Sequence, residues 1–171
     1  MIEWIYKNFG GGDWMSKIST HLHLALKLCE KIEIEDKTSF FLGNAYPDCW
    51  NDSVEKGNHR HCATDAEEND FNLGWKFHLW VDDRMKDIDT GDISKYDCMI
   101  CDMPVIGHLI EELKQHTFTG KEAEAMNHIL SLESEPIPLY LVPAEKMNRY
   151  EEMLDRLVDL FLVDYIEKSN E

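Results

Sequence analysis

The chain has 171 residues, 43% of them hydrophobic and 11% aromatic, with 34 acidic against 17 basic residues for a net charge of −17. That length and apolar content exclude a disordered chain and fit one domain, residues 1–171, able to bury a core without staples. The acidic field excludes bulk nucleic acid and anionic membranes as non-specific partners, because long-range repulsion opposes a polyanion unless a metal ion supplies local positive charge.

Five cysteines (Cys29, Cys49, Cys62, Cys98, Cys101) leave at least one unpaired, as in a reducing compartment. No apolar run reaches the length of a membrane span, and the opening MIEWIYKNFGGGDW has no basic leader followed by a cleavage site. A soluble protein of the cytoplasm is therefore expected. Composition leaves the oligomeric state open.

Residues 2–9 read as a short helix or an extended arm, ended by Gly10, Gly11 and Gly12. A helix is then expected from about Trp14 to Lys31, its apolar stripe made by Leu22, Leu24, Ala25, Leu26, Leu28 and Cys29. Within it His21 shares a face with Ala25 and Leu28 and points inward, whereas His23 aligns with Lys27 and Glu30 and is expected to face water. In SFFLGNAYPDCW the run Phe40, Phe41, Leu42 buries itself, and Gly43-Asn44 is expected to form a turn. Pro47 then suits the entry to a short helix with Asp48 in its first turn. That aspartate is either a helix-start carboxylate or a metal ligand held beside an apolar strip.

Residues 51–65 read as a polar loop carrying His59, His61 and Asp65, with no core for the histidines to join. From Glu67 a helix is expected whose stretch GWKFHLWVDD sets His78 and Asp82 four residues apart, on one face and one turn from each other. Such a pair can be an ordinary hydrogen-bonded surface pair or can hold one metal ion. Gly74 lies one turn before His78, and a glycine inside a strong helix costs about 1 kcal/mol relative to alanine, so close approach of another backbone or a ligand is expected there.

Residues 87–103 form an acidic loop whose isolated Cys98-x-x-Cys101 has no second thiol pair to complete a zinc knuckle. A helix after Pro104 places His108 and Glu112 four apart, and another runs from about Lys121 to Leu132. Residues 135–145 are expected to be extended because of their prolines. A final helix, about Ala144 to Glu167, packs through Met147, Tyr150, Met153, Leu154, Leu157, Leu160, Phe161 and Tyr165. These segments make an all-α, single-domain multi-helix bundle without repeats.

The inward or loop-held ligand types are His21, Asp48, His61 (or His59), His78 and Asp82. Imidazoles with carboxylates and no thiolate cluster suit zinc or another divalent transition metal, and leave room for an open coordination position. An ion held that way can acidify water for attack on phosphorus or a carbonyl.

The order THLHLALKL, FFLGNAYPDCW, HRHC, GWKFHLWVDD resembles the small bacterial relatives of the zinc-dependent phospholipase C family. The resemblance covers residues 20 to about 85, and its most specific parts are Phe41 to Asp48 and Gly74-xxx-His78-xxx-Asp82. It implies a phospholipase C and single-strand-nuclease type of all-α fold. It further implies that His21, Asp48, His61, His78 and Asp82 are metal ligands, with His108 and Glu112 at the spacing of a further pair. Trp4 and Trp14 cannot supply an N-terminal amino ligand without processing, so one or two zinc ions are expected rather than the family's full cluster.

The resulting expectation is a metal-dependent phosphoester hydrolase acting on a small soluble substrate, with Asp48 and Asp82 as the catalytic carboxylates. The alternative of another class is a non-catalytic metal-binding or interaction protein that keeps the fold. A phosphohydrolase of the His-Asp dipeptide type is excluded, since that dipeptide occurs nowhere in the chain.

Overall fold

The computed structural model describes residues 18–49, 67–85, 103–130 and 144–169. Among them the elements in chain order are α1 (Ile18–Lys31), α2 (Lys37–Ala45), a 3-10 helix (Tyr46–Cys49), α3 (Asp70–Met85), α4 (Met103–Leu113), α5 (Gly120–Leu130) and α6 (Ala144–Ser169), with no strand. The all-α expectation therefore holds for the described residues. None of their helices is long and apolar enough to cross a membrane.

Helix starts follow capping chemistry. Asp36 caps α2, its side chain accepting the Ser39 N–H at 3.0 Å. Its own N–H donates to Asp70 Oδ2 at 2.7 Å, which ties the start of α2 to the start of α3. Asn69 accepts the Asn72 N–H at 2.8 Å, so α3 begins at Asp70 rather than at Glu67: the three preceding residues set up the cap instead of joining the helix.

The centre of the molecule is the crossing of α2 and α3, with α1 laid across both and α5 packed on α2 and the 3-10 helix. Leu22, Leu24, Leu28, Phe40, Leu42, Phe77, Leu113, Ile129, Tyr150 and Leu154 are fully buried in one continuous core. Burial of each such side chain is worth about 1.5–3 kcal/mol.

Gly43 and Asn44 do not turn the chain. They continue α2 into its last turn, and both are buried. The glycine is there for packing, because a Cβ on Gly43 would lie 1.8 Å from the Phe71 carbonyl oxygen. Gly74 is its counterpart, where a Cβ would lie 2.0 Å from the carbonyl oxygen of Phe40. Close approach of a backbone is thus the reason for Gly74, and that space belongs to α2 rather than to a ligand.

Two expectations about exposure are corrected. His23 is 6% exposed rather than turned to water, because α6 covers that face of α1: Thr20 meets the Tyr150 hydroxyl at 2.7 Å, and Lys27 Nζ donates to Asp155 at 2.9 Å. On α6 the buried stripe is Tyr150, Leu154, Leu157, Val158 and Phe161, whereas Leu160 and Tyr165 are 43% and 39% exposed. Leu160 sits one residue, about 100° around the helix, from the stripe at Phe161. Tyr165 continues the stripe and stacks on Phe161 but keeps an open side.

The expectations for residues 2–16, 51–65, 87–102 and 135–143 fall outside the described residues. They include His59, His61, Cys98 and Cys101.

Candidate metal centre

Three elements converge on one point. The apolar stripe of α1 turns His21 inward, the last turn of α2 runs into the 3-10 helix that carries Asp48, and α3 presents His78 and Asp82 from successive turns. His21 and His78 are both fully buried, and their rings stack with centroids 3.6 Å apart and an interplanar angle of 13°. The Asp82 carboxylate spans the two rings, with Oδ1 3.0 Å from His21 Nε2 and Oδ2 3.1 Å from His78 Nε2. Asp48 Oδ1 lies 3.5 Å from the same His78 Nε2. Potential ligand atoms of His21, Asp48 and His78 all lie within 4.8 Å of one another, so this buried group can hold a metal ion.

The tautomer of His78 decides what the centre requires. Its Nδ1 is 2.7 Å from the backbone carbonyl oxygen of Asn44, and a carbonyl only accepts, so Nδ1 carries a proton. In the neutral ring Nε2 is then a lone pair, and it faces oxygens of two carboxylates at 3.1 and 3.5 Å. Three acceptors aimed at one another repel unless a cation lies among them, either a second proton on the ring or a metal ion.

Without a metal the proton takes that place. Burial opposes charge on His78, but Asp48 and then Asp82 outweigh it and raise the imidazole to about 10. Burial likewise pushes Asp82 up, and His21 followed by His78 more than reverses this, holding the carboxyl well below the usual range.

The donor set also allows a metal. Bond lengths of about 2.0–2.1 Å around a tetrahedral zinc put neighbouring ligand atoms about 3.3 Å apart. The ligand atoms of His21, Asp48 and His78, within 4.8 Å of one another, would draw in by about an ångström around such an ion, and a nitrogen and oxygen donor set without thiolate suits zinc. The side chains of Asp48 and Asp82 are 18% and 13% exposed, while both imidazoles are closed off.

Of the sequence-predicted residues, the structure brings together His21, Asp48, His78 and Asp82. His108 and Glu112 are placed elsewhere: both are exposed on α4, whose apolar side (Ile106, Leu109, Ile110, Leu113) packs into the core and turns the pair to solvent. His128 was missed by sequence reasoning. It is half-buried on α5, which packs on the 3-10 helix, and it feels Asp48; burial lowers it more than that carboxylate raises it. Glu124 stands four residues before it, the spacing of the other His and carboxylate pairs, and was the one signal that could have found it; the docking of α5 is what brings it near Asp48. Asn44 was also missed as a site residue, because it acts through a backbone carbonyl that any residue possesses.

No protein-family model, curated protein or solved structure matches this chain.

Proposed function

We propose that the chain is a metal-dependent hydrolase of phosphoester bonds, of the zinc-dependent phospholipase C kind, with one or two zinc ions held by His21, Asp48, His78 and Asp82. His61 is a further ligand on the motif order alone. The observation that carries the reading is the buried group of His21, Asp48 and His78, whose ligand atoms lie within 4.8 Å of one another, with the His78 tautomer turning Nε2 toward the two carboxylates. The order of the ligand-bearing motifs along the chain supports it independently.

A bound zinc supplies a Lewis acid that acidifies water and neutralises charge on a phosphoryl oxygen. The residues of the chain do the rest. Asp82 fixes both imidazoles through its two oxygens, Asp48 approaches from the opposite element, and these two partly exposed carboxylates are the groups positioned to orient an attacking water. His128 adds an imidazole on the Asp48 side. A chain of net charge −17 would meet a small soluble phosphoester more readily than a lipid surface or a long nucleic acid.

One observation favours the second reading, a metal-binding protein without turnover: both imidazoles are completely closed off, as in structural sites. Metal analysis followed by a panel of phosphodiesters and phosphomonoesters separates the two. Stoichiometric zinc with turnover of a small ester establishes the hydrolase. Stoichiometric zinc with no turnover across the panel establishes the binding protein, and absence of zinc binding rejects both.

A further inference from the structure

The crossing of α2 and α3 is closer than ordinary helix packing allows, and it lies directly against His78. Gly43 and Gly74 are reciprocal: a Cβ on the first would meet Phe71 O at 1.8 Å, and a Cβ on the second would meet Phe40 O at 2.0 Å and Asn44 N at 2.8 Å. Ordinary van der Waals contact for a Cβ begins at 3.4 Å, so backbone touches backbone on both sides. Between the two glycines lies Asn44, which is 0% exposed. Its Nδ2 donates to the Gly74 carbonyl at 3.2 Å, and its own carbonyl accepts the His78 Nδ1–H at 2.7 Å.

The position of Asn44 at the end of α2 makes that carbonyl available. The last four carbonyls of a helix lack intrahelical partners, and Pro47, three residues on, has no N–H to offer the Asn44 carbonyl. The negative end of the helix dipole also favours a donor there. Four residues on, the same strand of chain delivers Asp48 to the other nitrogen of the ring. Gly74 and His78 stand one turn apart on α3, so anything that lifts α2 off Gly74 also lifts the Asn44 carbonyl off His78.

We propose that Gly43, Asn44 and Gly74 are positioning residues of the metal centre, locking His78 as the Nδ1–H tautomer so that Nε2 is the nitrogen presented to the ion. This rests on the metal-binding part of the proposed function and not on turnover. Loss of a partner that orients a ligating imidazole typically costs about 10- to 100-fold in metal affinity. A methyl group at Gly74 would shift α2 by more than an ångström, enough to break a 2.7 Å hydrogen bond. Asn44→Ala adds no bulk and removes only the tie to Gly74, so it keeps the test open where Gly74→Ala fails to fold.

The experiment uses the full chain with 15N-labelled histidine, with and without zinc, together with zinc affinity by chelator competition for wild type, Asn44→Ala and Gly74→Ala. Leu154→Ala is the control, since it removes a fully buried core side chain from α6, a helix that is not one of the two that cross. Expected in the wild type is a protected Nδ1–H on His78 in both states, with zinc on Nε2. Zinc affinity should fall about 10-fold in Asn44→Ala and up to about 100-fold in Gly74→Ala, with weakening of the Nδ1–H signal, while Leu154→Ala lowers Tm without either change. Zinc on Nδ1 of His78, or an Asn44→Ala protein with unchanged affinity and unchanged Nδ1–H, would overturn the proposal. If the wild type takes up no zinc, the metal reading itself fails. The Nδ1–H signal of the metal-free protein and its loss in Asn44→Ala then still decide whether the crossing sets the tautomer.

Discussion

Helix α1 carries two buried histidines two residues apart, and their surroundings differ in charge. His21 faces α3, stacked on a second imidazole and paired with Asp82, whose side chain is 13% exposed. His23 faces α6, where Glu151 is 39% exposed, stands 3.7 Å away and already takes a 2.8 Å ion pair from Lys27. The α1–α6 side is a solvated set of compensated charges that holds two helices together. The α1–α3 side gathers two mostly buried carboxylates beside two fully buried imidazole rings, where a cation gains more than it would at the surface. Burial alone therefore does not separate the two histidines; the balance of acceptors around each does.

The largest break of this contrast is His78→Ala or Asp82→Ala. Each removes a ligand and leaves its neighbours uncompensated, so zinc affinity measured by chelator competition should fall at least about 100-fold, while His23→Gln should leave it unchanged within about twofold. Equal losses in His23→Gln and His78→Ala would show that the two sides do not differ. Asp48→Asn comes next, with about a tenfold loss expected, because its oxygen stands farther from His78 Nε2, at 3.5 Å against 3.1 Å for Asp82.

The same contrast shows what the chain discloses by itself. Periodicity gave the helices and turned His21 inward, since a single helix wheel suffices when the stripe is wide. It failed for His23, because a wheel cannot see that a second helix, far along the chain, covers the other face. Gly74 was legible as a close approach, but Gly43 was misread as a turn residue: glycine serves tight turns and tight helix crossings equally, and only the partner backbone at Phe71 distinguishes them. Asp48 was a candidate ligand from motif order rather than from any local pattern. His128 left only the weak signal of Glu124 four residues before it, since its place depends on how α5 docks, and the Asn44 carbonyl left none, being a group common to all residues.

A pH experiment sharpens the difference in the metal-free protein. His78 is raised to about 10 from an ordinary 6.5, so its proton stabilises the fold fully below about pH 6.5 and that contribution is lost as pH climbs toward 10. Urea unfolding at pH 7, 8.5 and 10 should show this alkaline loss without zinc and a smaller one with zinc, because the ion replaces the proton among the same acceptors. An alkaline loss persisting unchanged in His78→Gln would assign it to another group.

The smallest effect belongs to the other side of α1. Lys27 is held between Glu151 at 2.8 Å and Asp155 at 2.9 Å; burial disfavours its charge, but the two carboxylates outweigh this and raise its pKa. Both acids are exposed enough for water to screen the pairs, so Lys27→Met should cost less than about 1 kcal/mol, less again at high salt, with the aliphatic stem still packed between α1 and α6. Zinc affinity should not change. A drop in zinc affinity in Lys27→Met would mean that α6 is coupled through α1 to His21, and that the two faces of this helix are not independent. The structure argues for independence, because Lys27 lies nearly two turns from His21 and, among the described residues, its ion pairs go to α6.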